Sequence, residues 1–300
     1  MVILPDLRHP VLESPIMIER YAYDLRGLVW NIRSGGFDTY DTHLEHPARE
    51  KQIVSVIQEQ KRARGGLDFV SLIDTYRWSS YYGGNQSIAK HLRFNEALYL
   101  PVDDERLNAT GGEEISLVFA TDEEILEHGR IDLGNRQALR TVLGIGATGL
   151  QFATVYLDDI NEAVRIKQIH GLFAGLAPMP TVIAGDFNLL RQSLDGAALR
   201  HRLGDKFVRM ASALLSPFNH PYATTWKELN KRQAYPLFAQ NQFIDADREK
   251  KRPTVKSRFP LFGVDYAFHS GRAKVYGYKT ISSKGGSDHK PAIMRVRLDS

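Results

Sequence analysis

Short apolar runs, each followed by glycine, proline or polar residues, recur along this 300-residue chain. Runs of this kind, bounded by turn-forming residues, are typical of buried β-strands. They predict strands at residues 27–33, 67–73, 114–120, 137–143, 150–157, 180–184, 261–268, 273–278 and 292–298. Two longer segments, residues 50–64 and 161–176, repeat apolar positions at helical spacing and predict helices.

The order of these elements predicts the architecture. Residues 1–25 combine prolines with mixed polarity, and we interpret them as an arm or a first edge strand. Residues 26–300 contain no internal repeat and no long low-complexity linker, so we expect a single domain there. Many strands with few helices between them favour an α+β fold, in which two stacked sheets are flanked by helices as a four-layer α/β/β/α sandwich.

Composition limits the classes of function. The hydrophobic content of 43% is sufficient for a sizeable core. The 39 basic and 35 acidic residues leave a formal charge of +4, which permits a polyanionic substrate without requiring one. Because the chain has no cysteine, disulfides, thiolate nucleophiles and cysteine-based zinc sites are excluded.

The sequence also bears on location. No basic region precedes the short apolar stretch at the N-terminus, so a secretory signal is not expected. No run approaches the roughly 18 apolar residues that a membrane-spanning helix needs. We therefore expect no membrane span and a cytoplasmic location, while the oligomeric state is left open.

Two motifs carry most of the chemical information. Gly-Asp-Phe-Asn at residues 185–188 follows an apolar run and sets Asp186 and Asn188 two residues apart, where a strand end releases both toward one face. Ser-Asp-His-Lys-Pro at residues 287–291 brings an Asp-His pair to the start of the last predicted strand. An acid, an amide and an Asp-His pair at strand edges are the groups that hydrolyse a phosphate ester with a hard metal ion.

Elementary chemistry gives each of these groups a role, and they are the expected catalytic residues. Asp186 can accept a proton from the attacking water, and Asn188 can donate a hydrogen bond to a non-bridging phosphate oxygen. His289 can donate to the phosphate if a carboxylate holds its other nitrogen, and Asp265 is the natural holder. Such a carboxylate would raise the pKa of the histidine and fix its tautomer.

The expected cofactor is Mg²⁺ or Mn²⁺. Mg²⁺ takes a small number of carboxylates and retains several waters, which suits Asp74 with Asn31 nearby. Asp288 lies beside His289, close enough to join the metal or water network. The metal ligands are thus expected to be Asp74, Asn31 and Asp288, and the substrate contacts Tyr156, Arg77 and Lys290.

The whole series of polar strand-edge positions resembles a known family. It is similar to the endonuclease/exonuclease/phosphatase superfamily, whose DNase I-like fold includes abasic-site endonucleases, neutral sphingomyelinases and inositol polyphosphate 5-phosphatases. The resemblance runs over residues 26–298 and implies the same fold, metal dependence and residue roles. The matching segments are residues 185–188, 287–291, Val-Asp-Tyr-Ala-Phe at 264–268 and Thr-Thr-Trp at 224–226, together with Arg165 and Gln168 in the second predicted helix.

Two positions depart from the family pattern. The family usually has glutamate at the end of the second strand, where this chain has Asp74, whose shorter side chain must shift the ion or take a bridging water. The family usually has His-Leu before the second helix, whereas this chain has Tyr156 and Leu157. A phosphate-binding imidazole is thereby replaced by a hydroxyl group without charge.

Several interpretations remain open at this stage. Asp186 and Asn188 could simply cap a turn, Asn31 could form one, and His289 could be an ordinary core histidine. We expect a metal-dependent phosphoesterase, and specifically a nuclease-type phosphodiesterase, because the net charge and the basic segment at residues 248–258 favour nucleic acid slightly. The alternatives are a phosphoesterase for a phospholipid headgroup, an inositol phosphate or another small ester, and a catalytically weakened binding module.

Overall fold

The structure is a computed structural model that describes residues 23–32, 47–76, 78–102, 115–145, 149–158, 161–189, 233–247, 265–284 and 286–299. In these ranges the strands are β1 (Tyr23–Asn31), β2 (Phe69–Ile73), β3 (Glu96–Val102), β4 (Ile115–Thr121), β5 (Ile125–Asp132), β6 (Gln137–Leu143), β7 (Leu150–Tyr156), β8 (Thr181–Asp186), β9 (Ile244–Asp245), β10 (Asp265–Ser270), β11 (Ala273–Thr280) and β12 (Ala292–Leu298). The helices are α1 (Pro47–Arg62), α2 (Trp78–Tyr82), α3 (Asn85–Leu92), α4 (Glu162–Gly175) and α5 (Pro236–Gln240). None of these helices is long and apolar enough to cross a membrane.

The strands form two sheets of six strands each. The first has the order β11-β12-β1-β2-β4-β3, and the second has the order β5-β6-β7-β8-β10-β9. In each sheet the third and fourth strands, β1 with β2 and β7 with β8, are parallel, and the other pairs among these strands are antiparallel. Parallel neighbours need a crossover connection, which contains α1 in the first sheet and α4 in the second. Each sheet therefore contains one β-α-β unit.

Three apolar clusters define the layers. One lies between the sheets, where Phe69, Phe119 and Phe152 are in mutual ring contact. A second packs α1 and α3 against the outer face of the first sheet around Trp30, and a third packs α4 and α5 against the outer face of the second sheet around Phe268. Helices, sheet, sheet and helices are stacked in this order, so the predicted four-layer α/β/β/α sandwich is confirmed.

The element boundaries differ from the predicted ones mainly near the N-terminus. Residues 137–143 and 292–298 are strands with the predicted bounds. β1 begins at Tyr23, within the segment predicted as an arm or edge strand, and it lies between β12 and β2. Residues 23–25 thus belong to an interior strand, and residues 1–22 lie outside the described ranges.

The sequence pattern missed β3, β5 and the two-residue β9, and all three are edge strands. β3 is at the end of the first sheet and contains Pro101, which predicts a loop because proline lacks an amide hydrogen. Proline is tolerated at a sheet edge, where one side of the strand needs no partner. β5 begins the second sheet and exposes most of its residues, so it lacks the apolar run that marks an interior strand.

Candidate active site

Asp186 is the last residue of β8, and its side chain lies on the face of the second sheet that packs against the first sheet. Val182 and Ala184 belong to the core between the sheets, and side chains alternate along a strand, so the carboxylate lies on that same side. Gly185 has a φ of +154°, and a Cβ atom at this position would lie 2.0 Å from the carbonyl oxygen of Val155. Glycine is therefore required for β8 to approach β7 immediately before Asp186.

The Asp186 carboxylate accepts hydrogen bonds from both sheets. Asn31 Nδ2, at the end of β1, donates to Asp186 Oδ2 over 2.9 Å. The backbone N–H of Asn188 donates to Asp186 Oδ1 over 3.0 Å, and Asn188 itself has a φ of +48°, a left-handed conformation that asparagine tolerates. The turn-capping contact is thus present, and the same carboxylate also joins the ends of the two sheets.

His289 lies against two carboxylates. Its Nδ1 atom is 3.0 Å from Asp265 Oδ2 and 3.2 Å from Asp265 Oδ1, and its Nε2 atom is 3.9 Å from Asp186 Oδ2. Asp265 and Asp186 are direct partners in the antiparallel pair of β10 and β8, so the register of these strands sets the two carboxylates side by side. The contact that the sequence predicted between Asp265 and His289 is present.

Two hydrogen bonds attach the C-terminal motif to β1, and a third lies within the motif. Trp30 Nε1 donates to the carbonyl oxygen of His289 over 3.0 Å, and the Ser287 hydroxyl donates to the carbonyl oxygen of Asn31 over 2.8 Å. The backbone N–H of His289 donates to Ser287 Oγ over 3.1 Å. Because Trp30 and Ser287 are buried, these bonds are shielded from water and hold His289 beside the end of β1.

Burial and neighbouring charge change the ionisation of the site. Burial, and then the Asp265 carboxylate, raise the pKa of Asp186 to about 7, against the opposing effect of His289 and the hydrogen bonds that Asp186 accepts. Burial lowers the pKa of His289, but Asp265, Asp186 and Asp288 outweigh burial and raise that pKa to about 10. At neutral pH a carboxyl group that readily exchanges its proton therefore lies beside an imidazolium.

The expected metal ligands lie at one end of the first sheet. Asn31 is in register with Ile73, the last residue of the parallel strand β2, and Asp74 follows directly. Asp74 is half-buried, with a left-handed φ of +59°. Asp288 Oδ1 lies 3.3 Å from the Ser287 hydroxyl that also contacts the Asn31 carbonyl oxygen.

The donor groups at this end of the sheets fit a hard divalent cation. Asp186, Asp265 and His289 offer metal-ligating atoms that all lie within 4.8 Å of one another. Within this cluster His289 Nδ1 already faces Asp265, and a protonated imidazole is not a metal ligand. The remaining donors are the carboxylate oxygens of Asp186 and Asp265, together with the carboxylates of Asp74 and Asp288 and the Asn31 carboxamide at the same end of the sheets. Such oxygens are the ligands that Mg²⁺ and Mn²⁺ prefer.

Two of the three expected substrate contacts are described. Tyr156 ends β7 in register with Asp186 and is half-buried against the core between the sheets. Lys290 follows His289 and is also half-buried. Arg77 lies outside the described residues, as do residues 224–226 and the basic segment at 248–258.

Arg136 also lies beside the candidate site, although its position in the sequence did not predict this. This residue lies in the turn between β5 and β6, is 3% exposed, and donates a hydrogen bond to the carbonyl oxygen of Leu157. Its guanidinium carbon lies 4.4 Å from the centre of the Tyr156 ring. No local signal distinguishes it, because an arginine in a polar turn is ordinarily exposed.

A buried polar network supports the loop that follows β7. Gln168 Oε1 accepts from the backbone N–H of Asp158 over 2.7 Å, and Arg165 Nη1 donates to the carbonyl oxygen of Asp158 over 2.8 Å. Arg165 Nε also donates to Glu162 Oε2 over 2.8 Å. Arg165 and Gln168, which match the family pattern, thus hold the backbone near the site.

Known proteins share this fold. Residues 28–289 match the sequence model of the Endonuclease/Exonuclease/phosphatase family. No curated protein matches the chain. Similar solved structures include an endonuclease/exonuclease/phosphatase family protein from Bacteroides thetaiotaomicron (13% identity, TM-score 0.59, covering 93% of this chain and 100% of that chain). They also include the human Nocturnin catalytic domain with bound sulfate (15% identity, TM-score 0.62, covering 91% of this chain and 94% of that chain). A third is a Bacteroides thetaiotaomicron mannosyl-6-phosphatase (13% identity, TM-score 0.57, covering 91% of this chain and 99% of that chain). At these identities the likeness shows the fold alone.

Proposed function

We propose a specific reaction from the premise that this chain belongs to the Endonuclease/Exonuclease/phosphatase family, a family of phosphoester hydrolases that generally depend on a divalent metal ion. The proposed reaction is hydrolysis of a phosphodiester of the nuclease type by in-line attack of water. The observation that carries the proposal is the contact of His289 with Asp265 beside the Asp186 carboxylate. The family match over residues 28–289 supports treating residues 26–300 as one catalytic domain.

Asp186 is the proposed general base. With a pKa of about 7, a substantial fraction of this carboxyl group is ionised at neutral pH. The ionised form is also a stronger base than an ordinary carboxylate, so it can accept a proton from the attacking water. Asn188 donates one amide hydrogen to Leu157, so its second amide hydrogen remains for a non-bridging phosphate oxygen.

His289 is the proposed donor to the phosphate. Its pKa of about 10 keeps the ring protonated at neutral pH, and Asp265 holds the Nδ1 proton. The Nε2 proton is then available for a phosphate oxygen that gains negative charge in the transition state. Asp265 orients the ring and stabilises its charge.

Asp74, Asn31 and Asp288 are the proposed ligands of Mg²⁺ or Mn²⁺. When bound, such an ion neutralises charge on the phosphoryl oxygens. Tyr156, Lys290 and Arg77 are the proposed substrate contacts, with Lys290 next to His289 in the chain.

Nucleic acid is the first candidate substrate, and a small phosphate ester is the second. The formal charge of +4 supports a polyanion. The likeness to a mannosyl-6-phosphatase keeps the small ester as the second candidate. The salt dependence of activity distinguishes the two candidates, because counterion release makes the affinity for a nucleic-acid backbone fall steeply as the salt concentration rises.

A substrate panel tests the proposal. Single- and double-stranded DNA, RNA, sphingomyelin and inositol phosphates are incubated with Mg²⁺ or with EDTA, at low and high salt. We expect metal-dependent cleavage of an oligonucleotide that weakens with salt. Hydrolysis of a small ester with little salt dependence would select the second candidate. A chain that binds these ligands with Mg²⁺ but hydrolyses none would be a binding module.

A further inference from the structure

Arg136 is a buried cation beside the proposed active site that the proposed reaction leaves unused. It is 3% exposed, and its Cζ atom lies 4.4 Å from the centre of the Tyr156 ring, within the range of a cation–π contact. Its Nη1 atom donates a hydrogen bond to the carbonyl oxygen of Leu157. A guanidinium stays protonated in proteins, so this charge is permanent.

The backbone of Leu157 connects Arg136 to the groups around Asp186. The N–H of Leu157 donates to the carbonyl oxygen of Asp186 over 2.9 Å. The carbonyl oxygen of Leu157 accepts from Asn188 Nδ2 over 3.1 Å as well as from Arg136. The backbone of one residue, Leu157, thus contacts the strand end that carries the proposed base, the carboxamide proposed to bind phosphate, and the guanidinium.

Tyr156 faces the same side of the sheet as Asp186. The two residues are direct partners in the parallel pair of β7 and β8, and such partners project to one face. The Tyr156 ring packs against the core between the sheets and also contacts the Arg136 guanidinium. Its orientation is therefore restricted at the end of the strand that borders the site.

We propose that Arg136 is a positioning residue that holds the Tyr156 phenol and the Asn188 carboxamide as two neutral donors to the phosphate, with a permanent positive charge behind them. The proposal rests on the proposed function, because it assigns the phosphate-binding end of the same site. It also accounts for the tyrosine at a position where the family pattern has histidine. An imidazole loses its charge as pH rises, whereas a guanidinium does not.

A purely structural role for Arg136 gives a different expectation. If the side chain only closes the turn between β5 and β6, replacing it lowers the free energy of unfolding but leaves the folded protein with parental kinetics. A positioning role instead lowers the activity of the folded protein, and the loss depends on Tyr156. The two roles are therefore separated by kinetics on folded protein.

The experiment is a double-mutant cycle of Arg136→Met and Tyr156→Phe. The kcat and KM for bis-p-nitrophenyl phosphate are measured with Mg²⁺, and the affinity for inorganic phosphate is measured by calorimetry. We expect Arg136→Met to lower kcat/KM roughly tenfold, the size of one charge-assisted hydrogen bond. Arg136→Lys should recover part of the loss. Because part of the effect of Arg136 passes through the Tyr156 hydroxyl, the double variant should lose less than the product of the single losses.

Arg140→Met is the matched control. Arg140 lies on β6, four residues after Arg136, and its guanidinium donates to Gln151 and Glu127 instead of to the site. We expect this variant to keep parental kcat, KM and phosphate affinity. If Arg136→Met proves too unstable to purify, Arg136→Lys against Arg140→Lys gives a smaller contrast of the same kind.

Each outcome decides the proposal. Parental kinetics and phosphate affinity in Arg136→Met, or single losses that multiply fully in the double variant, overturn the positioning role and leave the hydrolase intact. A parent that hydrolyses no ester but binds phosphate with dependence on Arg136 and Tyr156 supports the positioning role and refutes the proposed function. A parent that neither hydrolyses esters nor binds phosphate refutes both.

Discussion

The two β-α-β units share one topology but end in different chemistry. In the first sheet, β1 and β2 lead to Asn31 and Asp74, an amide and a carboxylate suited to an oxygen-binding cation. In the second sheet, β7 and β8 lead to Tyr156 and Asp186, a phenol and a carboxyl group of raised pKa. The carboxyl ends of parallel strands meet at one sheet edge, and the bond from Asn31 to Asp186 joins the two edges.

The support behind these strand ends also differs. In the second unit, Arg165 and Gln168 of α4 hold the backbone after β7 through buried hydrogen bonds. In the first unit, Arg49 of α1 donates to the carbonyl oxygens of Ile32 and Gly286, which ties the end of β1 to the C-terminal motif. The backbone topology therefore sets where the candidate site lies, and the side chains around each strand end determine which part of the proposed reaction we assign to it.

The largest expected effect is on Asp186 of the second unit and on His289, which lies beside it. We predict that Asp186→Asn or His289→Ala lowers turnover of bis-p-nitrophenyl phosphate at least about 10²-fold, the usual contribution of general acid–base catalysis. Asp299→Asn is the control, since that carboxylate pairs with the exposed Lys274. If both site variants kept the parental turnover, Asp186 and His289 would not be the catalytic groups.

The first unit is tested through metal dependence. We predict that Asp74→Ala raises the Mg²⁺ concentration for half-maximal activity at least about tenfold, because a carboxylate ligand is lost. Asp74→Glu should preserve or improve metal affinity, since it restores the residue type that the family usually has there. A severe loss of Mg²⁺ dependence in Asp74→Glu would show that Asp74 does something other than bind the ion.

The pH dependence of kcat/KM probes how tightly the two carboxylates and the histidine are coupled. The base must be ionised and the imidazole protonated, so the rate should rise with pH through about 7, where Asp186 loses its proton, and fall through about 10, where His289 does. Below the lower pKa and above the higher one, kcat/KM should change about tenfold per pH unit.

Asp265→Asn sharpens the same measurement. The Asp265 carboxylate raises both the pKa of Asp186 and the pKa of His289, so its removal should move both limbs of the profile to lower pH. A profile whose limbs stay in place would mean that other groups control the rate. Parental protein titrated side by side is the reference.

The smallest expected effect concerns the bond that joins the two units inside the core. Ser71 Oγ on β2 lies 2.8 Å from Thr154 Oγ1 on β7, and both are buried. Thr154→Val should lower the free energy of unfolding by about 1–2 kcal/mol because Ser71 loses its partner, and adding Ser71→Ala should cost little more. Urea denaturation measures both values.

Thr141→Val is the matched control for that prediction. Thr141 on β6 is buried, and its Oγ1 atom has no hydrogen-bond partner among the residues that the structure describes. Its replacement should leave stability unchanged or improved, since no hydrogen bond is lost. An equal loss in Thr141→Val and Thr154→Val would mean that the bond between Ser71 and Thr154 does not stabilise the fold.

The local sequence predicted those site residues that directly follow or precede an apolar strand. Asp186 and the Asp265–His289 pair were predicted because they border apolar strands, and the structure brings them together. Arg136 could not be predicted in this way, because its burial depends on how a turn of β5 and β6 packs against Tyr156. The edge strand β3 was missed for a related reason, since Pro101 is compatible with a strand only at a sheet edge.

The amino-acid pattern alone determined the strand-rich sandwich and the polar residues at its strand ends, because apolar periodicity records which positions are buried. Only the tertiary structure decided which of those residues meet. Asn31 and Asp186 are 155 positions apart, and their contact depends on two sheet registers and on the stacking of the sheets. The raised pKa of Asp186 has the same origin, because it arises from burial and from Asp265 on the neighbouring strand.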